Sequence, residues 1–125
     1  MIIEVVAGLI RDADGRLLTV RKAGTGAYML PGGKREPGED DLAALARELR
    51  ELGVRLVSAE KFGNFEAAAI NEPGARVRSE IYSVTVEGPY APGAEIADLL
   101  WLDAHAPGEI PLAHLIRDHV LPRLS

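Results

Sequence analysis

The chain has no cysteine, which excludes disulfides and thiolate metal sites and fits a reducing cytoplasm. It has no membrane-length apolar run either. The apolar opening, MIIEVVAGLI, is too short to span a bilayer and carries Glu4 in its middle. It also lacks the basic start and small-residue cleavage site of a secretory signal, so it reads as a strand in a cytoplasmic protein without a membrane partner. Bases are in the minority: 14 Lys and Arg against 19 Asp and Glu give a net charge of −5. That balance argues against a nucleic-acid polymer as partner, because phosphate backbones need clustered Lys and Arg. A small phosphorylated substrate is still open, since local bases and a divalent cation reverse the field locally. Repeats, low-complexity tracts and linkers are missing too. Residues 1–125 therefore read as one domain, long enough to bury a core.

What is present has a clear order. Residues 2–10 are rich in Ile and Val and predict a strand, closed by a turn at Asp14-Gly15, with 16–23 as the return strand of a hairpin. Residues 24–39 hold five glycines and two prolines, which predicts a loop that closely approaches something else. Asp40 or Asp41 can cap a following helix, Leu42, Leu45, Leu49 and Leu52 recur at helical spacing as a buried seam, and Gly53 stops it. Residues 54–70 are partly β-like, with Phe62 and Phe65 as core candidates, and 71–74 form a turn. A long strand over 75–88 is anchored by Val77, Ile81 and Val84. A loop over 89–95 leads to a last strand over 96–103 carrying Trp101. Residues 112–121 predict a helix with Leu112, Leu115, Ile116 and Val120 on one side. Strands around one internal helix, with a second helix at the end, indicate an α/β or α+β layer fold.

The chemistry concentrates in the loop and helix of residues 32–54. Glu48 and Glu51 stand three apart and so share one helix surface. Carboxylates so placed repel unless a cation or water lies between them, and an all-oxygen site of this kind suits Mg²⁺ or Mn²⁺. The plainer alternative is a solvated face in which Arg47 and Glu51 form an i,i+4 pair. The glycines in front favour the metal reading, because Gly32 and Gly33 permit close backbone approaches that a Cβ resists.

The same residues resemble the signature of the Nudix hydrolases. Gly33 is followed by five residues and Glu39, then by seven residues and Arg47-Glu48-Leu49-Arg50-Glu51, and Leu30-Pro31-Gly32 precede it. After that the pattern is one residue short: where the family has Glu-Glu-x-Gly, this chain has Glu51-Leu52-Gly53. Anchored on Arg47, Leu52 replaces the second glutamate; anchored on Gly53, the deletion falls before Glu51. The strands before the loop and the stretch from Glu95 to Leu102 also look like the family.

The resemblance implies a Nudix-type α/β/α sandwich with a mixed curved sheet, the signature loop-helix and a C-terminal helix. It implies metal-dependent hydrolysis of a diphosphate linkage in a nucleoside diphosphate derivative, of nucleotide, nucleotide-sugar or ADP-ribose type. Glu48 and Glu51 are then the expected metal ligands, and either could orient or deprotonate the attacking water. Gly33 lends a backbone carbonyl to the metal or sets the loop geometry, and Gly32 belongs with it at the substrate. Glu39 and Arg47 are expected as a structural ion pair. Candidates for the absent ligand are Glu36, Glu66, Glu80 and Glu95, with Glu80 and Glu95 preferred. Among Arg21, Lys22, Arg76 and Arg78, we assign Arg21 and Arg78 to substrate phosphates, against a default of solvated strand ends. Tyr28 either stacks on a base or packs against the loop. His114 and His119 are spaced wrongly for a metal pair, and Ser58, Ser79, Ser83 and Ser125 form no triad with the histidines. A homodimer is consistent with the resemblance, although no interface stripe is evident. The alternative function is a catalytically impaired module that kept the fold and binds a nucleotide.

Overall fold

Strand β1 (Ile2–Leu9) organises the main sheet. On one side it pairs antiparallel with the short β3 (Gly32–Gly33), and on the other it runs parallel to β5 (Arg76–Glu87), which pairs antiparallel with β4 (Arg55–Ala68). A second, two-stranded antiparallel sheet is made by β2 (Leu17–Lys22) and β6 (Ile96–Leu102). This is a computed structural model, and it describes residues 1–124; Ser125 lies outside them.

The turn after β1 forms as the sequence predicts, but the hairpin does not. Asp12 accepts from the backbone N–H groups of Asp14 (3.0 Å) and Arg16 (2.8 Å), and Gly15 adopts φ 81°. The strands then separate after a single bridge, Arg11 to Leu17. Leu17, Leu18, Thr19 and Val20 are all buried, so β2 runs through the interior rather than along one exposed face. Its partner is β6, where the Thr19 hydroxyl donates to the Leu100 carbonyl at 2.8 Å.

Helix α1 (Asp41–Arg50) is capped by Asp40, whose carboxylate accepts from the Ala43 N–H at 2.8 Å. Its buried stripe is Ala44, Leu45, Leu49 and, just past its end, Leu52; Leu42 in the first turn is 43% exposed and does not extend the predicted seam. Each fully buried leucine contributes roughly 1.5–3 kcal/mol. The helix end tightens into successive i to i+3 bonds, from Glu51 to Glu48, Leu52 to Leu49 and Gly53 to Arg50, and Gly53 closes it at φ 83°. That compression keeps Leu52 inward.

Two cores lie on opposite sides of the strands. One gathers α1 with Val6, Leu18 and Val20, and Trp101 and Tyr90 pack against it edge to face, 5.9 Å between ring centroids. The other gathers Ala7, Leu9, Ile81 and Leu102 with the C-terminal segment. That segment differs from the predicted helix: Leu112 bridges to Tyr28 instead, and the helical part begins at residue 114 and passes through a π-helical stretch, Ile116–Val120, into α2 (Leu121–Leu124). Phe62 and Phe65 pack at the margin of this second core. Among the described residues no helix is long and apolar enough to cross a membrane. The result is a mixed α+β fold with a curved sheet and helices on both sides.

Candidate active site

β1 draws the glycine loop against the sheet. Val6 pairs with Gly33 and Ala7 with Gly32, so closely that a Cβ on Gly32 would lie 2.1 Å from the Val6 carbonyl oxygen. Gly33 is approached from the other direction. A Cβ there would lie 2.3 Å from Glu48 Oε1, so α1 packs this carboxylate directly on the loop backbone.

Arg47 fastens loop to helix. Its Nε donates to Glu39 Oε2 (2.8 Å) and its Nη2 to Glu39 Oε1 (2.9 Å) and to the Lys34 carbonyl (2.9 Å). Its Nη1 donates to Glu48 Oε1 at 3.1 Å. The guanidinium holds the Glu39 carboxyl down at about 2, with the Glu36 N–H helping. Arg47 is thus committed to Glu39 and Glu48 and makes no i,i+4 pair with Glu51.

A second clamp holds the next loop residue. Arg35 Nε donates to Asp41 Oδ1 (2.6 Å), and the Tyr82 hydroxyl donates to Asp41 Oδ2 (2.7 Å). The Tyr82 bond, and then the Arg35 pair, outweigh burial and lower the Asp41 carboxyl; the same bond pushes the Tyr82 phenol up to about 12. Sequence reasoning missed this clamp, because Tyr82 lies far along the chain on β5.

Glu51 sits beyond the tightened helix end, where the loop before β6 docks. Ala91 N–H donates to the Leu52 carbonyl and Gly93 N–H to the Glu51 carbonyl, each at 2.8 Å, and Ala23 N–H holds the Glu95 carbonyl at 2.9 Å. These bonds dock the loop that carries Glu95 beside the helix end that carries Glu51. Burial pushes the Glu51 carboxyl up, and the charges of Glu48 and Glu95 push it further, with Lys22 opposing them. Three carboxylates therefore share one neighbourhood with a surplus of negative charge. Among the described residues no group of three or more His, Asp or Glu side chains is placed to hold a metal ion by itself. The donors at Glu48 and Glu51 are all oxygen, the chemistry that a hard divalent ion prefers.

The other acids go elsewhere. Glu80 accepts from Asn64 Nδ2 (2.9 Å) and faces Lys61 at 3.8 Å, and Glu66 is taken up by Arg76 and Arg78. Glu36 is the exception: it contacts Arg47 at 3.4 Å and lines the adjoining cleft.

Next to these carboxylates opens a cleft of about 580 Å³, within the usual range of about 300–1,000 Å³ for small-molecule sites. Gly32, Gly33, Lys22, Lys34, Arg35 and Glu48 form its charged end. Lys22, Gly32 and Glu48 also border the recess that holds Glu51. Neither Arg21 nor Arg78 lines the cleft. Arg21 donates to the Thr25 carbonyl at 3.0 Å, and Arg78 pairs with Glu66 and Glu4. Lys22, passed over in the sequence in favour of Arg21, is the base that faces the site; strand alternation separates the two, but only knowing which side of β2 is inward reveals which one matters. Tyr28 binds Asp98 through its hydroxyl and lies outside the cleft lining. His119 stacks on Phe65, 5.2 Å between centroids, and contacts the Glu66 carbonyl.

Comparison with known proteins agrees with this geometry. A NUDIX domain model matches residues 1–124. An 8-oxo-dGTP diphosphatase of Haemophilus influenzae is 33% identical over 121 residues, covering 90% of this chain and 86% of that protein. A MutT-like protein of Streptomyces ambofaciens is 40% identical over 62 residues, 49% of this chain, and the match spans only 40% of that relative. Among solved structures, a MutT NUDIX hydrolase from Burkholderia pseudomallei superposes with a TM-score of 0.83 at 23% identity, covering 100% of this chain and 99% of that one. The MutT protein of Methanosarcina mazei Go1 gives 0.82 at 25% identity, with 98% and 92% covered.

Proposed function

The chain belongs to the NUDIX domain family, and from that premise we propose that it hydrolyses a diphosphate linkage in a nucleoside diphosphate derivative with the help of Mg²⁺ or Mn²⁺. The observation that carries the proposal is the position of Glu48, packed on the Gly33 backbone at the charged end of a ligand-sized cleft and bordering the recess that holds Glu51. Glu48 and Glu51 would hold the metal, with water completing its coordination. A bound divalent ion would neutralise phosphate oxygens and lower the pKa of a coordinated water. The chain's own groups do the rest. Lys22, Lys34 and Arg35 attract and orient the phosphates, the Gly32–Gly33 backbone lets them come close, and Arg47 keeps the Glu48 carboxylate aimed at the loop. The name of the Haemophilus relative supports a nucleoside substrate.

Nucleotides and nucleotide sugars assayed with Mg²⁺ and with Mn²⁺, alongside Glu48→Gln, test this reading. Turnover by the wild type and loss of at least about a hundredfold in the variant are expected. Equal turnover in the variant, or none in either protein, would leave the nucleotide-binding alternative, which calorimetry recognises as binding without consumption.

A further inference from the structure

The cleft is polar at both ends, and the ends differ in sign. Lys22, Lys34, Arg35 and Arg47 line the first. Three acids line the cleft as well: Glu36 and Glu48 contact Arg47 at 3.4 and 3.1 Å, whereas Glu72 meets no base among the described residues. Asn71 beside it is also exposed, and its side-chain amide has no hydrogen-bond partner among them. The other polar side chains of the lining are engaged or buried: the Thr25 hydroxyl donates to the Lys22 carbonyl at 2.8 Å, and Ser79 is buried. Strand register separates the two ends. Gly33, on which Glu48 packs, pairs with Val6, whereas Arg76, which follows the turn carrying Asn71 and Glu72, pairs with Ile2. Arg76 N–H donates to the Met1 carbonyl at 3.0 Å, which ties that turn to the start of β1. Val6 lies four residues along β1 from Ile2, a distance of roughly 13 Å that is comparable with an extended nucleotide.

An ionised carboxylate accepts hydrogen bonds, donates none and repels an anion. A substrate whose phosphates lie at Lys22 and Glu48 presents its remote end to this unengaged acid and amide. We propose that Asn71 and Glu72 select the substrate by that end, which is uncharged and carries N–H or O–H donors, and that they refuse a second anionic group there. The donors belong to the edge of a base or to a sugar, and Glu72 accepts from either. Because both residues stand exposed on a turn, an incoming donor displaces only water from them. This inference rests on the hydrolase reading for the placing of the phosphates. It narrows the substrate from any nucleoside diphosphate derivative to those that are anionic at one end only.

Three substrate pairs test it. Guanosine against inosine and cytidine against uridine, as triphosphates, vary a donor on the base. UDP-glucose against UDP-glucuronate replaces a neutral sugar end by a carboxylate. The wild type should favour the first member of at least one pair by about tenfold in kcat/KM, mainly through KM. Glu72→Gln should cut that preference to within about threefold, and Glu72→Lys should abolish it for the bases or reverse it for the sugars. Asn71→Ala should cost the favoured member more than its counterpart. A change confined to the triphosphates puts the base at the turn, and one confined to the nucleotide sugars puts the sugar there. Both side chains are exposed and unpaired, so the variants should keep the wild-type fold. Calorimetry without metal, on the matching nucleoside monophosphates and the two UDP-sugars, reads the same preferences without turnover, so a failed hydrolase reading would not obscure the result. Equal affinity within every pair for the wild type, or an unaltered preference in Glu72→Lys, would overturn the proposal.

Discussion

Arg47 grips Glu39 through two parallel contacts of 2.8 and 2.9 Å, so a charged pair welds the glycine loop to α1. The Glu39 carboxyl is held at about 2 against an ordinary 4.5. A carboxylate depressed on folding adds stability above its unfolded pKa and loses it as protonation proceeds. Denaturation midpoints of the wild type and Glu39→Gln should therefore differ at neutral pH and converge as pH falls from about 4.5 to about 2. A gap that persists at the acid end would mean that the pair is not its source.

Glu51 gives the opposite sign. Its carboxyl is raised by burial and by Glu48 and Glu95, so its ionisation costs the empty site stability as pH rises through the raised value. Glu51→Gln should melt higher than the wild type at neutral pH without metal, and should lose most of the stabilisation that Mg²⁺ or Mn²⁺ gives the wild type. Thermal shifts with and without metal separate the two effects. A variant that melts lower without metal would contradict the crowding of charge.

Lys22 and Arg21 are neighbours with different surroundings: the first lines the cleft and the second bonds to the Thr25 carbonyl. Lys22→Ala should raise KM about tenfold, the loss of one charged contact to phosphate, with little change in stability. Arg21→Ala should leave KM within about twofold. Steady-state kinetics on the pair, at fixed ionic strength, decides it.

Restoring the family's residue count should do harm. The carbonyls of Glu51 and Leu52 receive Ala91 and Gly93, and Leu52 is buried. A glutamate inserted after Glu51 rotates the following residues by about 100°. It would turn Leu52 out of the core, at about 2–5 kcal/mol if the space is left unfilled, and detach the loop that carries Glu95. Both the melting temperature and metal-dependent turnover should fall. A gain in activity would show that the short helix is an impaired site.

These relationships were unequally legible in the sequence. The loop, the Asp40 cap and the spacing of Glu48 and Glu51 are written locally, within a few helical turns. Glu95 is a candidate from the sequence, but what docks its loop at the end of α1 is not legible there, since that depends on backbone bonds between a helix end and a distant loop. β2 misleads for a related reason. Its turn chemistry specifies a reversal, while burial on both faces sends the strand to β6 rather than back along β1. Tyr82 reads as an ordinary strand residue until α1 is laid against β5 and its hydroxyl meets Asp41.

Trp101 packs with Tyr90 beside the core around α1, and the cleft itself has no aromatic lining. Intrinsic emission will accordingly follow global unfolding while remaining nearly blind to occupancy of the cleft. Fluorescence titrations on this protein need a labelled nucleotide, and a flat tryptophan signal in them carries no information about binding.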